Sequence, residues 1–175
     1  MKIGGLPTQA DFHEAISIRS DRWYSACLKI TRNPDLAADA VQDALLNAWN
    51  KRHQFESTAR LDTWIHRIAI NAALNLVRKS RPGMFETLDT DVQSDNAGPE
   101  RAWEEHELES GLARALGSLS EVERVCFVLK HLEQWRVREI AQELGLNDGR
   151  VKQAVFRAVR KLRISMQDMR RTGYE

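Results

Sequence analysis

The sequence predicts an all-α chain made of two small helical domains joined by an acidic flexible linker, the second domain containing a helix-turn-helix. Three observations carry that prediction. Almost everything outside residues 81–99 repeats its apolar residues at helical spacing, and nowhere is there the sustained alternation of a half-buried strand. Residues 81–99 hold the densest turn chemistry, including Arg81-Pro-Gly83 and Asp95-Asn-Ala-Gly-Pro99, which divides the chain near its middle. Near the end, two short helical patterns flank Gly145, the second of them basic. The division expected is 10–82, 83–98 and 99–171.

The first helix contains Trp23, Tyr24, Cys27, Leu28 and Thr31. Asn33-Pro34 then supplies a cap followed by proline at the first helical position, where its missing N–H costs nothing. The second helix starts there, with Leu36, Ala40, Val41, Ala44, Leu45, Ala48 and Trp49 expected inward and Asp39, Gln42, Asp43, Leu46, Asn47 and Asn50 outward. Leu46 is the apolar exception on that polar face. A polar connection, 51–60, contains His53 and Phe55. A long helix follows, its start not fixed by sequence, with Trp64, Ile65, Ile68, Ala69, Ala72 and Leu76 inward and Arg67, Asn71, Asn75, Arg78 and Lys79 outward. It should stop before Arg81-Pro82, because proline disfavours helix at the residue ahead of it.

The second domain opens with an apolar face of Trp103, Leu108, Leu112, Ala115, Leu116 and Leu119. Ser120-Glu-Val-Glu123 has capping-box spacing ahead of Val125, Cys126, Leu129 and Leu132. Ile140, Ala141, Leu144 and Leu146 form the first arm of the helix-turn-helix, Gly145 can take the left-handed stop, and Asn147 can cap the next helix. On that helix Val151, Val155, Ala158 and Leu162 should face in, leaving Arg150, Gln153, Ala154, Arg157 and Lys161 as an outer stripe of a kind that enters a major groove.

Composition sets limits on function. With 175 residues and 42% hydrophobic content the chain can build cores, and a net charge of +1 rules out a bulk polycation. The charges are segregated. Nine acids and one arginine, Arg101, lie between Met84 and Glu109, whereas Lys152, Arg157, Arg160, Lys161, Arg163, Arg170 and Arg171 make the end basic. One surface can therefore meet phosphates while the chain stays near neutral. Cys27 and Cys126 sit far apart in apolar helical patterns, as buried reduced thiols do. No apolar run approaches the roughly 18 residues of a membrane span, and the start lacks a signal-peptide core, so membrane insertion is not expected and the location expected is cytoplasmic.

The runs Asp39-Ala-Val-Gln-Asp43, Ala48-Trp49, Asp62-Thr-Trp-Ile-His-Arg-Ile-Ala-Ile-Asn71 and Arg78-Lys-Ser-Arg81 resemble region 2 of the bacterial RNA polymerase sigma factors of the extracytoplasmic-function type. Leu116-Gly-Ser-Leu-Ser120, Glu139-Ile-Ala-Gln-Glu-Leu-Gly145, Val151-Lys152, Arg157 and Lys161-Leu-Arg163 resemble their region 4. A lone helix-turn-helix says little; two matching halves in the right order say much more.

The resemblance implies a transcription initiation factor that binds core RNA polymerase, directs it to promoters and assists melting. On that reading Asp39, Gln42, Asp43 and Leu46 dock on the polymerase's largest subunit. Phe55, Trp64, Arg67, Asn71, Asn75, Arg78 and Lys79 take the melted strand of the minus-10 element, where flipped bases want stacking partners and amide groups. Arg150, Lys152, Gln153, Arg157 and Lys161 meet the duplex minus-35 element. Promoter DNA, core polymerase and an anti-sigma protein are the partners implied, with no cofactor. Two positions depart from the family pattern: Ala154 stands where an arginine is common and Asn75 where an acid is usual, so those contacts do not carry over.

Plainer roles compete at single residues. Core packing is the default for Trp23, Trp49 and Trp103; Trp64 could be core or stack on a base, and Phe55 could anchor its loop or touch DNA. Asp39 and Asp43 taken alone could be a solvated face. The five histidines share no metal-ligand spacing with each other or with the cysteines, so no metal is expected. Catalysis is not expected either: Tyr24 and Tyr174, the two tyrosines, lie in no arginine cluster of the kind a recombinase needs. The remaining competitor is a repressor or activator that binds duplex DNA alone, which would prefer palindromic sites.

Overall fold

Thr8 begins the first helix by a reciprocal cap. Its hydroxyl accepts from the Asp11 N–H at 3.3 Å while the Asp11 carboxylate accepts from the Thr8 N–H at 2.7 Å. Helix α1, Gln9–Thr31, ends at Arg32 in the left-handed conformation, whose N–H donates to the Leu28 carbonyl at 2.8 Å. The turn is short because Asn33 immediately caps α2, Pro34–Asn50, its side-chain oxygen accepting from the N–H groups of Asp35 and Leu36. After a single 3-10 turn at Arg52–Gln54, the chain runs through a loop into α3, Leu61–Ser80. That helix ends two residues before Pro82, as expected from the proline. The computed structural model describes residues 5–83, 85 and 107–172, without the side chains of 107–110 and 172.

The chain divides into two compact units, Met1–Pro82 and Gly83–Glu175. In the first, α1, α2 and α3 pack pairwise into a three-helix bundle. Trp23, Cys27 and Ile30 come from α1, and Ile65, Ile70, Leu74 and Val77 from α3; the Cys27 thiol donates to the Ala69 carbonyl at 3.5 Å. What α2 buries is a stripe of methyls: Ala37, Ala40, Ala44 and Ala48. Small side chains let its backbone approach both neighbours closely, which leaves less room inside for the larger ones.

Two expectations are corrected here. Leu36, Val41 and Leu45 are only half-buried, and Trp49 is 38% exposed rather than in the core. On α3 the buried stripe is Ile65, Ala69, Ile70, Ala73, Leu74 and Val77, so Trp64, Ile68, Ala72 and Leu76 lie at its margin. Because α3 packs on two helices at once, its buried arc is wider than one stripe and centred differently.

The second unit contains α4 (Glu107–Gly117), α5 (Glu121–Phe127), a π turn (Val128–Leu132), α6 (Val137–Leu144) and α7 (Asp148–Thr172). The capping box at Ser120 and Glu123 forms as its spacing predicts. Gly145 takes the left-handed stop at φ 66°, and the Leu146 N–H closes back on the Ala141 carbonyl at 2.9 Å. The Asn147 side chain then accepts from the Arg150 N–H at 2.9 Å and opens α7. Leu116, Leu119, Val125, Leu129, Ile140, Leu144, Val151, Ala158 and Leu162 make the core. Trp135, in the turn between α5 and α6, also belongs to it, a position that helical periodicity does not reveal.

All the secondary structure among the described residues is helical. The stretch expected as a linker lies outside those residues except for Gly83 and Phe85, as do Trp103 and the side chain of Leu108. No helix among the described residues is long and apolar enough to cross a membrane.

Candidate polymerase and nucleic-acid interfaces

Asp39, Gln42, Asp43, Leu46 and Asn50 recur at three- and four-residue spacing along α2, and all are exposed. They sit opposite the alanine stripe, so the bundle presents them as one polar face. Leu46, 60% exposed, interrupts that face with an apolar side chain. At the C-terminal end of the helix, Trp49 stands beside it, with the Phe12 ring edge-on at 5.2 Å and the Arg52 guanidinium 4.1 Å above its ring. Arg52 is held there by donating to the Trp49 carbonyl at 2.7 Å.

The connection into α3 is anchored by rings. Phe55 and Trp64, both half-buried, lie 5.4 Å apart and tilted, so the loop is pinned and neither ring is fully covered. Along α3, Arg67, Asn75 and Lys79 are exposed in line with Trp64. Arg78 is half-buried and donates to the Asn75 side chain at 2.9 Å. Asn71 departs from its expected outward position: it is half-buried, and its side-chain oxygen is buried without a hydrogen-bond partner among the described residues.

At the head of α3, Asp62 joins three elements. Its carboxylate accepts from the Arg19 Nε of α1 at 3.0 Å, from the Arg60 Nε of the loop at 3.1 Å and from the Thr63 N–H at 3.0 Å. Burial opposes its ionisation, but the bond and charge of Arg60, with Arg19 and Thr63, outweigh burial and hold the carboxyl below its usual range. A folded value below the unfolded one means that this contribution is fully present above the ordinary aspartate range. It is lost as pH falls through the folded value.

In the second unit the outer face of α7 is rotated from its expected position. Lys152, Gln153, Arg157 and Arg160 are exposed, Arg150 is half-buried, and Ala154 is buried rather than outward. Ala154 takes the inward place expected of Val155, which is half-buried. Phe156, absent from the stripe expected, is 68% exposed between Lys152 and Arg160. An apolar residue in a basic face was the signal that could have found it. Lys161 is half-buried and turned to the protein, its ammonium 3.1 and 3.0 Å from the two oxygens of the buried Glu123 carboxylate. Beneath α7, burial pushes the Cys126 thiol up to about 12, against the opposing charge of Arg150, so it stays protonated.

Two family models match the chain: Sigma-70 region 2 over residues 19–82 and Sigma-70 region 4 over residues 111–162. The ECF RNA polymerase sigma factor SigL of Mycobacterium tuberculosis is 30% identical over 151 residues, covering 81% of each chain. The chain belongs to the ECF RNA polymerase sigma factors. It is a promoter-specific transcription initiation factor. The ECF sigma factor SigW of Bacillus subtilis is 26% identical to it over 171 residues, 92% of this chain and 91% of that one. The sigma factor RpoE of Bartonella quintana, solved with the anti-sigma factor NepR, shares its fold at a TM-score of 0.59 and 23% identity, over 90% of this chain and 97% of that one.

The region 2 match in this sigma factor takes in most of α1 and all of α2 and α3, and therefore both the α2 face and the Phe55–Trp64 pair. The region 4 match stops at Leu162, so the last turns of α7, with Arg163, Arg170 and Arg171, lie beyond it.

Proposed function

We propose that this sigma factor holds core polymerase through the outer face of α2, with Asp39, Gln42 and Asp43 in polar contacts around Leu46. The single observation that carries the reading is that exposed leucine in a row of acids and amides. Other apolar side chains are exposed on this chain, but this one stands inside a ring of acids and amides, the arrangement by which a protein interface sets an apolar contact within a polar rim. Binding in solution is the test. In a titration against bacterial core RNA polymerase, the chain should saturate, and Asp43→Arg should weaken affinity by roughly tenfold or more, the size of one lost charge pair with a repulsion added. Undiminished binding by a variant with intact helical content would remove α2 from the interface.

Phe55, Trp64, Arg67, Asn71, Asn75, Arg78 and Lys79 serve the melted minus-10 strand on the same reading. The two rings supply stacking surface, the amides supply base-edge hydrogen bonds, and the cations neutralise phosphate. Lys152, Gln153 and Arg157 face the minus-35 duplex, with Phe156 positioned to lie against a thymine methyl and Arg150 nearer the packed side of α7. Lys161 has the weakest claim on DNA, because Glu123 already holds it. Gln153→Ala should relax upstream base preference by about tenfold, the scale of one lost base contact, without changing affinity for core polymerase. A binding-site selection with the holoenzyme reads this out; uniform weakening across sequences would mean that Gln153 contacts backbone.

The solved relative that carries an anti-sigma factor supports one further partner, an anti-sigma protein that covers these surfaces until induction. The work is done in the cytoplasm, where the polymerase is, and bond formation belongs to the polymerase.

A further inference from the structure

The cluster at the head of α3 does more than cap a helix. We infer that Arg60 is a DNA-backbone contact of this sigma factor and that Asp62, braced by Arg19, is the residue that positions it. The inference rests on the reading that the loop before α3 and its two rings face single-stranded DNA.

The geometry supports three steps. Asp62 has its side chain only 11% exposed, and both of its arginine partners donate through Nε. The Arg60 bond therefore engages the inner nitrogen and leaves both terminal amino groups beyond it, on a side chain that is 74% exposed. A lone arginine on a loop would sample many rotamers; this one is tied at its neck and open at its tip, so less ordering is left for a ligand to impose. The second step concerns place. Arg60 is the extended residue from which α3 starts, its carbonyl accepting from the Trp64 N–H at 3.1 Å and its guanidinium bound to Asp62 in the first turn, so the exposed cation lies at the same end of the helix as the Phe55–Trp64 pair. Rings for bases with a cation alongside for phosphate is the chemistry of a single-strand site. The third step is the brace. Arg19 comes from α1, 43 positions earlier, so the carboxylate is fixed to the bundle rather than to the loop.

The sign of one substitution separates this from simple charge. If Asp62 only lowered the local positive charge, Asp62→Asn would strengthen binding to a polyanion. If it positions Arg60, removing the carboxylate weakens binding even though the protein becomes more positive.

The test is the affinity of holoenzyme, assembled from the full chain and core polymerase, for a labelled random-sequence single-stranded oligonucleotide over a series of salt concentrations, with binding by core alone subtracted. Arg60→Ala should lower affinity several-fold and reduce the slope of log K against log salt by about 0.7, the value for one phosphate contact on a single strand. Asp62→Asn should shift both in the same direction by a smaller amount, with affinity for core polymerase unchanged. The outcome that overturns the inference is an unchanged slope and affinity for Arg60→Ala, or a rise in affinity for Asp62→Asn. Should Asp62→Asn fail to fold, Arg60→Ala decides alone, since its side chain is on the surface. The double variant Arg78→Ala, Lys79→Ala distinguishes the broader reading. If it loses affinity while Arg60→Ala does not, this inference alone falls; if neither loses any, the minus-10 assignment falls with it.

Discussion

Trp23→Ala should cost about 3–5 kcal/mol of stability, the range for removing a fully buried aromatic side chain. The upper part of that range is expected. A cavity costs least where neighbours can lean into it, and the fully buried positions of α2 are the methyls of Ala37, Ala40, Ala44 and Ala48, which have no rotamers to change. Trp23 is also the largest of the fully buried side chains among the described residues, so the void it leaves is a large one. Urea unfolding of the full chain followed by far-ultraviolet circular dichroism measures the effect. A loss below about 1 kcal/mol would show that the three helices collapse onto the space and that their packing is far more yielding than a close-packed core allows.

Lys161→Met should cost the second unit about 2–3 kcal/mol, somewhat below the figure for breaking a fully buried pair, because water reaches the half-buried ammonium. The damage falls on what remains. Glu123 keeps its bond from the Ser120 N–H at 3.1 Å but loses the cation that compensates its buried charge. Adding Glu123→Gln to Lys161→Met should therefore recover part of the loss, since the amide can still accept from Ser120 and carries no charge to strand. The cycle of single and double variants in the same unfolding assay gives the coupling directly. If Lys161→Met leaves stability unchanged and instead lowers the salt slope of duplex binding, the lysine belongs to the DNA face after all.

Much of the fold was legible in the sequence because its signals are local. Asn33-Pro34, Ser120 to Glu123, Gly145 with Asn147, and Pro82 each fix a helix end through a bond or clash within four residues, and each does so in the structure. Helix faces were read less well, and the errors have one cause. Alanine is apolar enough to join a stripe and small enough to sit anywhere, so the sequence pattern leaves Ala37 unassigned and puts Ala154 outward, while it puts Trp49 inward. Which alanine faces inward depends on where two neighbouring helices cross, which no single helix encodes. The candidate interfaces follow the same division. The α2 face was legible as a stripe, but the Phe55–Trp64 pair, the brace of Asp62 between Arg19 and Arg60, and the capture of Lys161 by Glu123 all join residues distant in sequence or across a turn. Phe156 is hard to see in the sequence because the charges around it dominate the pattern of a basic helix.

The methyl stripe of α2 divides the freedom of that helix to vary. Four inward positions tolerate almost no increase in size, while the outward positions bear no part of the core. Such a helix can exchange its outward side chains without disturbing the bundle beneath it. If that face is the polymerase contact proposed above, recognition there can drift, sharpen or switch from one lineage to another at almost no cost in folding.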